Sequence, residues 1–499
     1  MAVNDISIVA NLEIGDMSVL TDLQQNMYLT DEMYYSIKNK TPYISDKDEE
    51  IIPSKLYVKP KKTTLSADIV EKAQMMPGNS SEYNFMLNEK MDYVTYTYYY
   101  RKFRSTKVKE SLKDHVQISW CNNLGHHNFD TFELMIDNDP KQTITGVWLD
   151  NYAQRFVSKE HLKKYRQNIC DKKYSKLWTT GEISKDENGK VWGTELKPIT
   201  VKVPIPFSFE RTPFPIFLAT QSKILIKGRF KMKLSELIKM RVKKGDIWEE
   251  IPYDWRVLEG ISGEDYILPD SPELYICYSK ITKEEKKYWL DTITDKTPYK
   301  YYYTDIVPIT YDKLYTSTEP FSDLLSSKTP VKGIYWVAQN VLGLPFNNYS
   351  NYTTDPFDTD QGDDPISKVS LKHAGNSYRV KEMDSSHFTD MMSYHRCSSS
   401  PYSKGYGCII FSKNINTIDA DIGPIFDITK TTLSLTLEDN KDNSRNVNDV
   451  KQEELLKSIL DRTDNKSKSY NKYKIHLLIQ VIKQFEFSVA EKIKVNDGN

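Results

Sequence analysis

The chain lacks most of the features that mark membrane, secreted, nucleotide-binding or nucleic-acid-coating proteins. No stretch approaches ~18 consecutive apolar residues, so no transmembrane helix is expected. The opening MAVNDISIVANLEIGDM has no basic segment followed by a long apolar core, so no signal peptide is expected either. Without a secretory route, the glycosylation sequons at Asn348 and Asn351 read as chance. The five cysteines, Cys121, Cys170, Cys277, Cys397 and Cys408, are odd in number and widely spaced. No CxxC pair occurs among them, which argues against a disulfide framework or a zinc ribbon and fits reduced thiols in a cytosolic compartment. An excess of one charge is also missing. Lys+Arg 68 against Asp+Glu 69 gives a net charge of -1, which argues against a protein whose main business is coating nucleic acid. Neither a GxxxxGK[ST] loop nor a GxGxxG turn is found, so nucleotide binding has no local support.

What is present is a long chain with strand chemistry. At 499 residues and 39% hydrophobic it can build two or three domains with substantial cores. Its 34 tyrosines suit strands and large interfaces, because tyrosine buries area and keeps a polar tip. An AT-rich coding sequence would enrich the same residue. Residues 1–50 read as an arm, with a short amphipathic helix over 16–39 and the alternative of a frayed terminus. From Lys55 onward short strands alternate with turns. Tyrosine alternation makes Met91–Phe103 a strand, and His115–Trp120 and Phe129–Ile136 follow it. Gly146–Phe156 places Trp148, Leu149, Tyr152 and Phe156 on about one helical face. Residues 156–176 form a charged, partly helical excursion.

The block Val201–Met232 reads as strand, corner, strand. Its prolines Pro204, Pro213 and Pro215 cannot donate to a sheet ladder, so they mark edges or corners. This block is expected to close a first β-unit, directly before a bridge that contains a short helix over Leu234–Met240 and a polar turn at Lys243–Asp246. A second β-series is expected from Glu273, through Val331–Val337, Cys408–Phe411 and Thr432–Leu437, to His476–Phe487 and Val489–Val495. Two β-units of roughly two hundred residues each follow, without a visible sequence repeat. Two long insertions interrupt the second, about 345–365 and 438–470.

Three stretches carry a family resemblance. In the first, Asn122, Asn123, Leu124, Gly125 and His126 form a turn, followed by the Phe132, Leu134, Ile136 strand and by Gly146, Trp148 and Leu149. The second is Val203–Phe230, with Phe207 and the three prolines. The third runs from Cys408 to Phe411 and on through Gly423 to Asp427, Thr429 and Lys430, which stand where the family has Asn, Ser and Arg. On these residues the chain resembles the double jelly-roll major capsid proteins of nucleocytoplasmic large DNA viruses, in particular the iridovirus- and asfarvirus-like ones. The resemblance implies an all-β fold of two tandem eight-stranded antiparallel jelly rolls with short helices and long loop insertions. The expected layout is an arm over 1–50, a first jelly roll over 51–232, a bridge over 233–262 and a second jelly roll over 263–499. The family further implies homotrimers that tile an icosahedral shell, no enzymatic activity, no cofactor, and location in the virion after assembly in the host cytoplasm. Implied partners are further copies of the chain, minor capsid or penton proteins and an inner membrane. The insertions Asn347–Asp364 and 156–195 would be tower or inter-subunit loops. A membrane-shaping scaffold with the same fold is the first alternative; a cytosolic β-sandwich enzyme or glycan-binding protein is the alternative of another class.

Four clusters offer chemistry. Asp358, Asp360, Asp363 and Asp364 crowd around Gly362 and are the best cation candidates, but they fail the EF-hand spacing, and a solvated acidic loop is the default. Cys121, His126, His127 and Asp130 lack a tetrahedral metal spacing. His387, His395 and Cys397 lie in a Ser-rich loop with no oxyanion motif beside them. Lys239–Lys244 is a small basic cluster expected to face solvent or a neighbouring subunit.

Overall fold

A computed structural model describes residues 64–293, 298–412, 430–438 and 471–488, apart from short gaps at 78–80, 88–89, 187–188, 211, 269, 326, 328, 358 and 374–376. It also describes 43–44, 50–51, 415, 428 and 493–496. The chain divides into two units, Met1–Leu65 with Ile281–Lys287, and Ser66–Lys280 with Tyr288–Asn499. Within the first unit Tyr43–Ile44 pairs antiparallel with Glu50–Ile51. The expected arm helix, the 438–470 insertion beyond Glu438, and the resemblance block around Gly423 lie outside the described residues.

The large unit holds two β-sandwiches. In the first, one sheet runs in the order Asp139–Thr145, Phe129–Ile136, Ile224–Phe230, Glu82–Met86, Gln74–Pro77. The facing sheet runs Ile199–Ile205, Tyr93–Phe103, Glu273–Ile281, Thr64–Lys72. The second sandwich pairs a sheet of Tyr299–Tyr315, Tyr473–Phe487, Val331–Asn340 and Tyr406–Ile410 with one of Phe321–Leu325, Thr431–Leu437, Ile366–His373 and Ser377–Asp384. The registered neighbours pair antiparallel, and most are far apart in sequence, the crossed connectivity of a jelly roll.

Period-two burial explains the sheets. Along Tyr93–Phe103, Thr97, Tyr99, Arg101 and Phe103 point inward, while Tyr98 and Tyr100 stay outside. Tyr99 meets Phe129, Phe132 and Phe230 of the opposite sheet at ring distances of 5.6, 5.3 and 5.8 Å. Each such pair adds about 0.5–1.5 kcal/mol beyond the area it buries. The second core is more aliphatic: Val369, Leu371, Leu433 and Leu435 pack against Trp336, Ile475 and Leu477.

The Val201–Met232 block forms a strand, a corner and a strand, as expected. Ile199–Ile205 is an edge strand, where Pro204 costs no inner ladder bond. The chain then turns through Ser208–Glu210, makes a two-residue ladder of Phe214 and Pro215 with Val94 and Tyr93, and enters the opposite sheet at Ile224. Pro215 is buried and Pro213 exposed.

Two expectations are corrected here. Leu234–Met240 is not a helix: a single 3-10 turn at Leu234–Glu236 gives way to the strand Ile238–Lys244, which pairs with Val116–Trp120. Its short apolar spacing suits either element, and the ladder to Val116–Trp120 decides it. Nor does the second β-series begin at Glu273, because Glu273–Ser279 pairs with Tyr93–Tyr100 inside the first sandwich. The Val201–Met232 block therefore does not close that sandwich; a later strand completes it.

Candidate functional site

The distinctive chemistry lies where the two sandwiches meet, and it begins at the Asn122–His127 turn. Asn123 adopts a left-handed backbone (φ 52), which asparagine tolerates. The turn then winds into a four-residue helix, Leu124–His127. Gly125 lies so close to Ile169 and Val203 that a β-carbon would stand 2.8 Å from each. Asn128 anchors the turn by donating to the Leu124 carbonyl at 2.7 Å, and the Tyr99 hydroxyl donates to the Gly125 carbonyl.

The helix Gly146–Arg155 packs directly on this turn. Thr145 caps it, its hydroxyl accepting from the Trp148 amide at 3.2 Å. A β-carbon at Gly146 would sit 2.5 Å from the His126 carbonyl oxygen, so only glycine lets the helix start there. Trp148 is buried and meets Phe156 and Tyr335 edge-on at 5.3 and 5.7 Å, the latter contact reaching the second sandwich.

Asp150 is the hub. Its carboxylate accepts from His126 Nδ1 at 2.7 Å, His127 Nε2 at 2.8 Å, Asn123 Nδ2 at 3.0 Å and the Tyr352 hydroxyl at 2.9 Å. Burial works to raise its pKa, but the two imidazoles outweigh burial and hold it well below the usual carboxylate range. Burial lowers the pKa of His127 despite Asp150, which favours its neutral form. One turn on, Arg155 is fully buried. Its Nη2 donates to the Tyr406 carbonyl at 2.5 Å, its Nε to Ser393 Oγ at 3.2 Å and its Nη1 to Asn151 Oδ1 at 3.1 Å. The Ser398 amide donates to the Arg155 carbonyl, and the Tyr402 amide to Gln154 Oε1 at 2.8 Å. One helix of the first sandwich thus supplies hydrogen bonds to three segments of the second.

The segment that reads as an acidic, solvated loop is part of this seam. Asn347 Nδ2 donates to the carbonyls of Ser235 and Ile238 at 2.7 and 2.8 Å, and Ser350 Oγ lies 2.8 Å from His127 Nε2. Asn347, Asn348, Asn351, Tyr352, Thr353 and Thr354 are all buried. The tower-loop expectation is corrected for these residues: they are interior and pair the backbone groups of both sandwiches.

Ser350, His127 and Asp150 resemble a hydrolase triad only by composition. In a triad the hydroxyl and the carboxylate face opposite ring nitrogens. Here both face Nε2 of His127, so the ring cannot take the serine proton while the carboxylate steadies its other side. Of the cation candidates, Asp360 pairs with Lys172 at 2.6 Å and Asp363 with Lys404 at 3.0 Å. Asp364 is pushed by burial up to about 7, its Oδ1 accepting from the Ile366 amide, and Asp358 lies outside the described residues. Among the described residues no three His, Cys, Asp or Glu side chains converge as metal ligands. Asp130 is exposed and does not join His126 and His127, while burial pushes the Cys121 thiol up to about 11. A hydrogen bond to Cys408, with burial, pushes the Cys397 thiol far above its ordinary value, the reverse of an activated nucleophile. The basic cluster is corrected in part: Lys239 and Arg241 are buried, Lys239 against Glu250 at 2.9 Å, while Lys243 and Lys244 are exposed. Phe207 is buried in the corner beside Phe209 at 5.3 Å.

A second, aromatic seam lies at the Val201–Met232 corner. Phe214 packs edge-on to Tyr301, Phe485 and Phe487 at 5.4, 5.9 and 5.6 Å, and the Tyr301 hydroxyl donates to the Thr212 carbonyl at 2.5 Å.

Two sandwiches of crossed antiparallel strands, joined side by side through buried contacts, define the double jelly-roll class. No family model matches the chain. Among solved structures it is similar to the Faustovirus major capsid protein (TM-score 0.60, 11% identity, covering 98% of this chain and 100% of that one). A chain of the PBCV-1 virus capsid matches with TM-score 0.58 and 11% identity, over 88% of this chain and 98% of that one. A chain of the Sputnik virophage matches with TM-score 0.51 and 9% identity, over 89% and 90%. Capsid protein 1 of Acanthamoeba polyphaga mimivirus is 24% identical over 241 residues, 47% of this chain but only 36% of that protein. The chain has the double jelly-roll fold of viral major capsid proteins.

Proposed function

We propose that this chain is a major capsid protein, a structural subunit whose trimers tile the icosahedral shell of a large DNA virus. One observation carries the reading: the double jelly roll superposes on solved capsid chains along essentially their whole length, 98% and 100% of them. The seam supports it. A shell subunit must hold two sandwiches in one fixed relation, and buried hydrogen-bond networks specify such a relation more strictly than apolar contact does. Trimer formation needs large self-complementary surfaces, typically several thousand Å² for obligate assemblies. On this reading the subunit resides in the virion, assembles in the host cytoplasm, and meets further copies of itself, minor capsid or penton proteins and an inner membrane. The domains would be an arm, two jelly rolls and a bridge, the first jelly roll extending through the Glu273–Ile281 strand. The expectation that the family-motif residues Asn123, Gly125 and Trp148 serve architecture rather than chemistry fits their places in the seam.

The test is the mass of the purified protein in solution. Three copies of the 58.2 kDa chain support the reading. A stable monomer that turns over or binds a small ligand would replace it with the enzyme or lectin alternative.

A further inference from the structure

Lys190 stands out because nothing in the seam uses it. It is 4% exposed and directly precedes the short strand Val191–Trp192, which pairs with Ser184–Lys185 outside the two sandwich sheets. Its Nζ lies 3.0 Å from Asn122 Oδ1 and 3.2 Å from the Trp120 carbonyl oxygen, and 4.9 Å from the ring centre of Trp192. No carboxylate pairs with it directly among the described contacts. The nearby Glu250 is engaged by Lys239. Asp186 accepts from the Lys190 backbone amide and from Trp192 Nε1, both at 2.9 Å. Burial first, and then the Lys239 charge, bring the amine down to about 7. A desolvated lysine beside a second cation is the standard way to make a free, nucleophilic amine at neutral pH.

We propose that Lys190 and Asn122 form an intramolecular isopeptide bond, a self-catalysed cross-link between the small strands that flank the first sandwich. The amine nitrogen of Lys190 attacks Cγ of Asn122, the carbon that carries the acceptor oxygen it already touches. The new N–C bond forms, the C–N bond of the carboxamide breaks, and one amine proton moves to the departing nitrogen, which leaves as ammonia. No oxidant or co-reactant is needed. The hydrogen bond keeps the amine beside the carboxamide, and attack requires it to shift from the oxygen onto Cγ. Asn122 also lines a small polar cavity of about 40 Å³ with Asp171, Ser350 and Thr353. That is room on the Asn122 side for ammonia to leave. The link would join residues 68 positions apart, tying the end of the Val116–Trp120 strand to Val191–Trp192.

Electrospray mass spectrometry of the intact, folded full-length chain tests this. The expected result is a mass one ammonia below the sequence value, trypsin resistance after Lys190, and a branched peptide joining the Asn122 and Lys190 segments. The cross-linked fraction rises with incubation of folded protein and stays at zero in urea. Lys190→Arg restores the full mass; if that variant does not fold, the branched peptide of the wild-type chain decides. Folded wild-type protein at its full sequence mass, cleaved normally after Lys190, overturns the proposal.

Discussion

The two sandwiches touch in two chemically opposite ways. At one seam the Gly146–Arg155 helix presents Asp150 and Arg155 to a ring of donors and acceptors. At the other Phe214 sits among three aromatic rings. Aromatic contact buries area but tolerates small slips, because rings have broad minima. A carboxylate with four donors tolerates few, since a slip leaves buried polar groups unpaired. The aromatic seam therefore supplies adhesion and the polar seam supplies register.

The largest expected loss comes from Phe214→Ala, which empties the aromatic seam at a cost of about 3–5 kcal/mol. Denaturant unfolding should show that loss equally at pH 5 and pH 8. Asp150→Asn keeps the shape but turns an NH2 donor, in place of one carboxylate oxygen, towards groups that themselves donate. A loss of about 2–3 kcal/mol is expected, and a loss below that of an ordinary surface change would break the hub assignment. Tyr352→Phe removes one bond to that carboxylate, for about 1.5 kcal/mol, and should be nearly silent once Asp150 is already Asn.

The pH dependence separates the seams further. His127 has a folded pKa below its ordinary 6.5, so its contribution is complete above pH 6.5 and is lost as pH falls. Asp150 adds a second loss, only below its ordinary 3.8. Asp364 has the opposite sign. Its folded pKa is raised from 3.8 to about 7, so its contribution is complete below pH 3.8 and is lost as pH rises through 7. Asp364→Asn should therefore be more stable than the wild-type chain at pH 8, with the gain shrinking towards pH 4 in thermal melts.

Much of the architecture was legible because it is local. Tyrosine alternation marks Tyr93–Phe103, the face of Trp148 and Leu149 marks the helix, and prolines mark the corner. The errors lie where pairing is remote. Glu273–Ile281 looks like any strand, and only its ladder with Tyr93–Phe103 assigns it to the first sandwich. The seam was hidden for the same reason. Asp150 meets partners 23, 24, 27 and 202 positions away, and no window of sequence contains them. Asn347–Thr354 has the composition of a solvent loop, yet its polar side chains are interior because they pair buried backbone groups. The tandem histidines were a signal for this site, but their partner Asp150 lay inside an apolar-faced helix and was not singled out.

Electron cryomicroscopy of the assembled protein tests the central claim most directly. Pseudo-hexagonal capsomers are predicted, each with six sandwiches, two per chain, in the side-by-side relation set by the two seams. Dispersed single chains, or an assembly in which the two sandwiches of one chain vary in relative orientation, would contradict it.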